Sequence, residues 1–221
     1  MKGTNFGSSL SSLELLMFWR NWSWPARILS VVFVGLVAAV LFPVFARSPE
    51  HPRNSCQSNL KQIGLGFAQY EQDYDERFPP VALKGTAYGW ADALYPYTKS
   101  TRLFQCPVEA NEGQTDPHLT GYTDYWFNAR LSKRELKTVS EPARLIAAGD
   151  GNDGTDLTNA RYSIAALPPN WVNDENSPSY RHFGTAHYLF ADGHVKAMKP
   201  SAFAAKWSQT GPSFEPGKNA R

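Results

Sequence analysis

Only two of the 221 residues are cysteine, so neither a disulfide-dense scaffold nor a cysteine-rich metal cluster is open to this chain. It also has no G-x-S-x-G elbow, no phosphate-binding Gly-Lys-Ser/Thr loop, no C-x-x-C and no H-E-x-x-H. With these goes every local signature that asks for an enzyme, and Ser, His and Asp show no spacing that nominates a triad. Charge of one sign is missing too. From Arg47 onward 19 basic residues meet 19 acidic ones, and a balanced domain lacks the basic footprint that nucleic-acid binding needs. What the chain does have is 42% hydrophobic and 14% aromatic residues, enough for one large or two small packed domains and too many for global disorder.

The net charge of +2 lies wholly before one apolar run. Residues 1–27 hold Lys2, Arg20 and Arg27 against Glu14, and residues 28–46 then carry no charge at all. Nineteen helical residues rise about 28 Å, close to the hydrocarbon thickness of a bilayer. Trp19, Trp22 and Trp24 precede the run, where indole rings favour the headgroup layer. The expectation is a basic cytoplasmic leader over 1–27, a transmembrane helix over 28–46, and an exported domain over 53–199. A cleaved secretory signal ending at Val44-Phe45-Ala46 is the other reading, opposed by the long leader, by Pro43 and by bulky Phe45. Either one exports the rest of the chain. Arg47, Arg53 and Lys61 flank the far side, so charge favours an inside N-terminus without deciding it. In an oxidising compartment Cys56 and Cys106 can form a disulfide, and two free buried thiols are the alternative.

Cys56, Leu60, Ile63, Phe67, Tyr70 and Tyr74 recur every three or four residues, which is one face of a helix. Asn54 or Ser55 would cap it and Phe78-Pro79-Pro80 would end it, with Lys61, Glu71, Asp73 and Glu76 on its outer side. Short β-like runs follow at 103–106, 122–128, 145–148, 162–166 and 186–199. One helix and then several strands imply an α+β fold with an amphipathic helix on an antiparallel β-sheet. Residues 200–221 show no period and read as a loosely ordered tail.

The run 186–198 reads as a hairpin turning on Asp192-Gly193 as a type I′ pair. In that register Tyr188, Phe190, Val195 and Ala197 face the core. His187 and His194 share the opposite face about 13 Å apart along the strands, too far to hold one metal ion unaided. His182 lies ahead of the hairpin and can fold back towards Asp192 or Asp150, either as a hydrogen-bonded structural pair or as a ligand set for a divalent ion. The segment from Asp150 to Asp156 is oxygen-rich and loosely like a calcium loop, but its glycines are misplaced for an EF-hand. A solvated turn fits it better, so no cofactor is expected, with calcium the ion to consider.

Several ordered blocks resemble a known family. Leu41-Phe42-Pro43-Val44-Phe45-Ala46-Arg47 comes first, then Ser55-Cys56-Gln57-Ser58-Asn59-Leu60-Lys61-Gln62-Ile63-Gly64-Leu65 and Gln72-Asp73-Tyr74-Asp75-Glu76-Arg77-Phe78-Pro79-Pro80. Trp90-Ala91-Asp92-Ala93-Leu94-Tyr95-Pro96-Tyr97, Phe104-Gln105-Cys106-Pro107, Arg181-His182 and, after nine residues, Asp192-Gly193-His194 complete the set. Together they resemble the bacterial prepilin-type proteins with an H-x9-D-G processing-associated domain. The resemblance implies a pseudopilin-like protein of the inner membrane with an N-terminal membrane helix and a β-sheet head. It also implies protein partners in type II secretion or type IV pilus machinery, no enzymatic activity, and a structural or ligand-binding role for His182, Asp192 and Gly193. The processing site departs from that pattern. Asn21 stands where a prepilin has its cleavage Gly, Trp22 at the following Phe and Ala26 at the assembly Glu. Leu13-Glu14-Leu15-Leu16 keeps a Glu but no adjacent Gly, which argues against an ordinary processed filament subunit. An exported metal-dependent hydrolase or ligand-binding domain using Asp150, His182 and Asp192 is the alternative function.

Overall fold

The computed structural model describes residues 23–45, 52–84, 88–109, 114–199, 201–204 and 211–217, and residues 1–22 of the expected leader, Asn21 and Trp22 among them, lie outside them. The chain divides into two compact units, Met1–Pro49 and Glu50–Arg221.

The first unit holds α1, Trp24–Phe45, whose 22 residues rise about 33 Å. Trp24, Ile28, Leu29, Val31, Phe33 and Leu36 are exposed along it. Among the described residues no helix is long and apolar enough to cross a membrane, and the side chains of α1 beyond residue 39 lie outside that set.

The second unit is α+β, built on a five-stranded mixed sheet. Its long helix α2 runs Pro52–Asp73. The expected caps Asn54 and Ser55 therefore lie inside the helix, because Pro52, with φ already set for helix and no N–H to satisfy, occupies the first position. At the other end the N–H of Glu76 bonds the Glu71 carbonyl at 2.8 Å, with Asp75 and Glu76 both at positive φ. That six-to-one bond is a Schellman closure, so the helix stops on its own cap ahead of Phe78-Pro79-Pro80. Cys56, Leu60, Ile63, Phe67 and Tyr70 are buried as the period predicts, while Tyr74 is half exposed and stacks on Tyr70. Glu71 corrects the expectation for the outer face, being buried with Oε1 unpartnered.

The strands are β1 Tyr125–Asn128, β2 Ile146–Asp150, β3 Ser163–Ile164, β4 Ala186–Phe190 and β5 Val195–Met198, in the order β3-β1-β2-β4-β5. Three pairings are antiparallel, as expected, but β1 and β3 run parallel. The anticipated strand at 103–106 is instead a single 3-10 turn, Thr101–Phe104. Its carbonyl at Phe104 takes the Asp124 N–H at 2.8 Å, one bond and not a ladder.

Both faces of the sheet are covered. On one, α2 packs its stripe over Tyr125, Phe127, Ala148 and Leu189. Gly64 permits that approach, since a Cβ there would stand 2.9 Å from Leu189 Cδ1. On the other face Trp126, Ile146, Trp171, Tyr188, Phe190 and Phe214 form a second cluster. Phe214 belongs to the segment read as a loose tail, yet residues 211–217 are docked. Ser213 donates to the Arg144 carbonyl at 2.7 Å and accepts from the Ile146 N–H at 2.8 Å.

The hairpin departs from its expected register by one residue. Leu189 pairs with Val195, Tyr188 with Lys196 and His187 with Ala197, while the Phe190 N–H bonds the His194 carbonyl. The loop is thus the three residues Ala191, Asp192 and Gly193, with Gly193 at φ +87, so the turn is not a type I′ pair. It matches a type I turn closed by a glycine bulge. The slip carries the β5 side chains to the opposite faces and leaves β4 as it was. His187 stays with Leu189, on the face that α2 covers, and His194 crosses to stack on Phe190 on the other.

Candidate functional site

Asp150 ends β2, where continuing the β2–β4 register sets it opposite His187. Cross-strand neighbours share a face, so both side chains point under α2. His182 arrives from the loop ahead of β4. There Phe183 and Gly184 take positive φ, the His182 N–H bonds the Thr185 carbonyl at 2.8 Å, and the Thr185 hydroxyl bonds the His182 carbonyl at 2.8 Å. This tight turn folds the imidazole inward.

The three side chains meet at one carboxylate oxygen. Oδ2 of Asp150 lies 3.2 Å from Nε2 of His182 and 3.4 Å from Nδ1 of His187, and it accepts the His187 backbone N–H at 2.6 Å. The two imidazole centroids are 4.4 Å apart. Side-chain exposure is 0% for Asp150, 1% for His182 and 7% for His187, so the cluster is interior and not a cleft floor. Burial by itself pushes the Asp150 carboxyl up, but hydrogen bonds and charge from His182 and His187 outweigh it and hold the group well below the usual carboxylate range. The same cluster raises Tyr125 well above a normal phenol, chiefly through burial and then through the charge of Asp150.

Above the cluster, Cys56 in the first turns of α2 is joined to Cys106 by a disulfide, with Cα atoms 5.2 Å apart. Cys106 Sγ lies 3.7 Å from His182 Nε2. Asp124 pins this corner, accepting the Cys106 N–H at 2.7 Å and the Asn152 side-chain amide at 2.9 Å. Arg181, next to His182, has its side chain almost wholly buried, with Nε 2.6 Å from Glu109 and a second nitrogen donating to the Asn152 carbonyl at 2.7 Å.

Of the residues picked from the sequence, Asp150 and His182 come together while Asp192 and Gly193 do not join them. Asp192 sits at the hairpin tip, where its Oδ1 accepts the His194 N–H at 3.1 Å and lies 2.6 Å from His194 Nδ1. Gly193 and Asp192 instead border a cleft of about 170 Å³ against Gly64, Phe67 and Glu71. In the calcium-like segment the acidic groups are spoken for. Asp153 accepts from Thr155 and from the Trp171 indole, and Asp156 accepts from the Tyr162 hydroxyl, so this loop is a hydrogen-bonded turn. His187 was the residue the sequence concealed. Its role depends on β2 lying beside β4 and on α2 covering a face that the alternation of the hairpin had set opposite the expected core.

The sequence model of one family, described as Protein of unknown function (DUF1559), matches residues 53–105, about a quarter of the chain. That stretch covers α2 and ends one residue before Cys106. No curated protein and no solved structure matches the chain.

Proposed function

We propose that this protein is a membrane-anchored, pseudopilin-like component whose exported α+β head makes protein contacts in an assembly related to type II secretion or type IV pili. The observation that carries the reading is α1, a 22-residue helix whose large apolar side chains from Trp24 to Val37 are exposed, preceding a head with its own buried core. A bilayer is the solvent in which such a helix loses its penalty. Support comes also from the resemblance of the ordered sequence blocks, from the family match over 53–105, and from the Cys56–Cys106 disulfide, which suits an oxidising compartment outside the cytoplasm. On this reading the N-terminus stays inside, residues 28–46 hold the inner membrane, and the head is a structural element without catalytic activity.

Fractionation of the full-length chain tests the proposal. Recovery with inner-membrane material, released by detergent and not by high salt, is the expected result, and recovery as free soluble cytoplasmic protein overturns it. Mass spectrometry of the mature N-terminus then distinguishes an intact Met1 from a start at Arg47, which would mean signal cleavage, or a methylated start near Trp22, which would mean pilin processing.

A further inference from the structure

We infer that Asp150, His182 and His187 bind one divalent transition-metal ion of the zinc class, as an interior structural site beneath the disulfide. The donors are already gathered, with one ligand atom from each residue lying within 4.8 Å of the other two. Their spacing has the right scale. A tetrahedral ion with ligands at about 2.0–2.1 Å sets neighbouring donors about 3.3–3.4 Å apart, and the His182–Asp150 and His187–Asp150 separations are 3.2 and 3.4 Å.

A second, independent observation is what the cluster leaves undone. Oδ1 of Asp150 and Nδ1 of His182 are buried without a hydrogen-bond partner, and Nδ1 of His187 has only its 3.4 Å approach to Oδ2, which lacks hydrogen-bond geometry. An orphaned buried polar atom costs about 1–3 kcal/mol, so three at one point need an explanation. An ion explains two of them directly, because His187 Nδ1 would be its ligand and Oδ1 the second oxygen of a carboxylate that binds it. Two imidazoles and one carboxylate favour zinc or a neighbouring transition ion over calcium or magnesium, which take oxygen donors. With three protein ligands the fourth position would fall to a water, and because all three donors are buried that water would be enclosed away from substrate while the ion braces β2, β4 and the His182 loop.

The test uses the full-length, oxidised protein in detergent, stripped with chelator and then titrated with zinc chloride. We expect about one zinc per chain to survive desalting, a higher melting temperature that chelator reverses, and cobalt substitution giving the intense visible absorption of a tetrahedral site. His187→Gln should weaken zinc binding by more than the roughly 10–100-fold typical of an outer-sphere change. A double variant, His118→Ala with His194→Ala, should retain the ion. Failure of the wild type to retain zinc or to gain melting temperature overturns the inference, whatever the variants do. Loss of the ion in the double variant overturns it as well, by placing the metal on the surface.

Discussion

Nε2 of His182 stands 3.2 Å from Oδ2 of Asp150, in an interior where the carboxylate has no exposure at all. A charge so placed persists only with partners, and removing one member of such a group leaves the others buried and uncompensated. Asp150→Ala should therefore destabilise the head by about 3–5 kcal/mol. Asp150→Asn should recover part of this, since its oxygen can still accept the His187 N–H. Urea unfolding followed by tryptophan fluorescence measures both, and a loss under 1 kcal/mol for the alanine variant would contradict the assignment.

Glu71 provides a pH dependence of the opposite kind to a paired carboxylate. Burial, and then repulsion from Glu76, raises its carboxyl from 4.5 to about 7. The folded state thus holds a proton that the unfolded chain releases, and this contribution to stability is present at acid pH and lost as pH rises from about 4.5 through 7. Glu71→Gln should add about 1–2 kcal/mol at pH 8, discounted for the partial opening to solvent, and almost nothing at pH 4. Melting curves at the two pH values decide it, and an equal gain at both would show that the carboxyl ionises normally.

The disulfide closes a loop between residues 50 apart in sequence. In the chain-entropy model its removal costs about 4 kcal/mol. Paired Cys56→Ser and Cys106→Ser substitutions should show that loss in denaturant, with α2 freed first because the bridge ties its start to the loop after Phe104. Hydrogen exchange along residues 55–70 reads this directly, and unchanged protection there would refute it.

At the hairpin tip Gly193 has φ +87, a conformation in which a Cβ costs about 1–2 kcal/mol. Gly193→Ala should lower stability by that amount, because nothing but the backbone opposes the new methyl group. Gly193→Asn should cost less, since Asn tolerates the left-handed region. If alanine proved neutral, the three-residue loop would be wrong.

How much of this was legible in the sequence depended on whether the decisive contact was local. The buried face of α2 followed from spacing alone through Tyr70, and the disulfide is one of the two outcomes, bridge or free buried thiols, that a single pair of cysteines allows. The helix end was also local, but it lay in an Asp75-Glu76 cap without glycine, which no pattern flags. The hairpin was found in the right place, yet Asp-Gly serves both a two-residue turn and the last positions of a three-residue one, and the difference moved His194 and Val195 to opposite faces while His187 kept its own, the face that α2 covers. Asp150 meets His187 only because β2 and β4 are neighbours, a fact of tertiary pairing. Glu71 misled for the converse reason. Its spacing placed it off the apolar stripe, and it lies instead in the cleft it shares with Phe78, Leu136 and the hairpin loop.

The Cys56–Cys106 bridge and the family-matched stretch 53–105 enclose almost the same residues, and every strand of the sheet begins after them, at Tyr125. The region with a recognisable ancestry is therefore a covalently closed loop that owns a helix but no sheet. Within itself it can pack Phe67 against Phe78 and Trp90, but the sheet face that Leu60, Ile63 and Phe67 cover is made of residues synthesised later. In a chain made from its N-terminus this loop precedes every strand, and its apolar stripe waits for β4, which begins at Ala186, 80 residues after Cys106, to cover it.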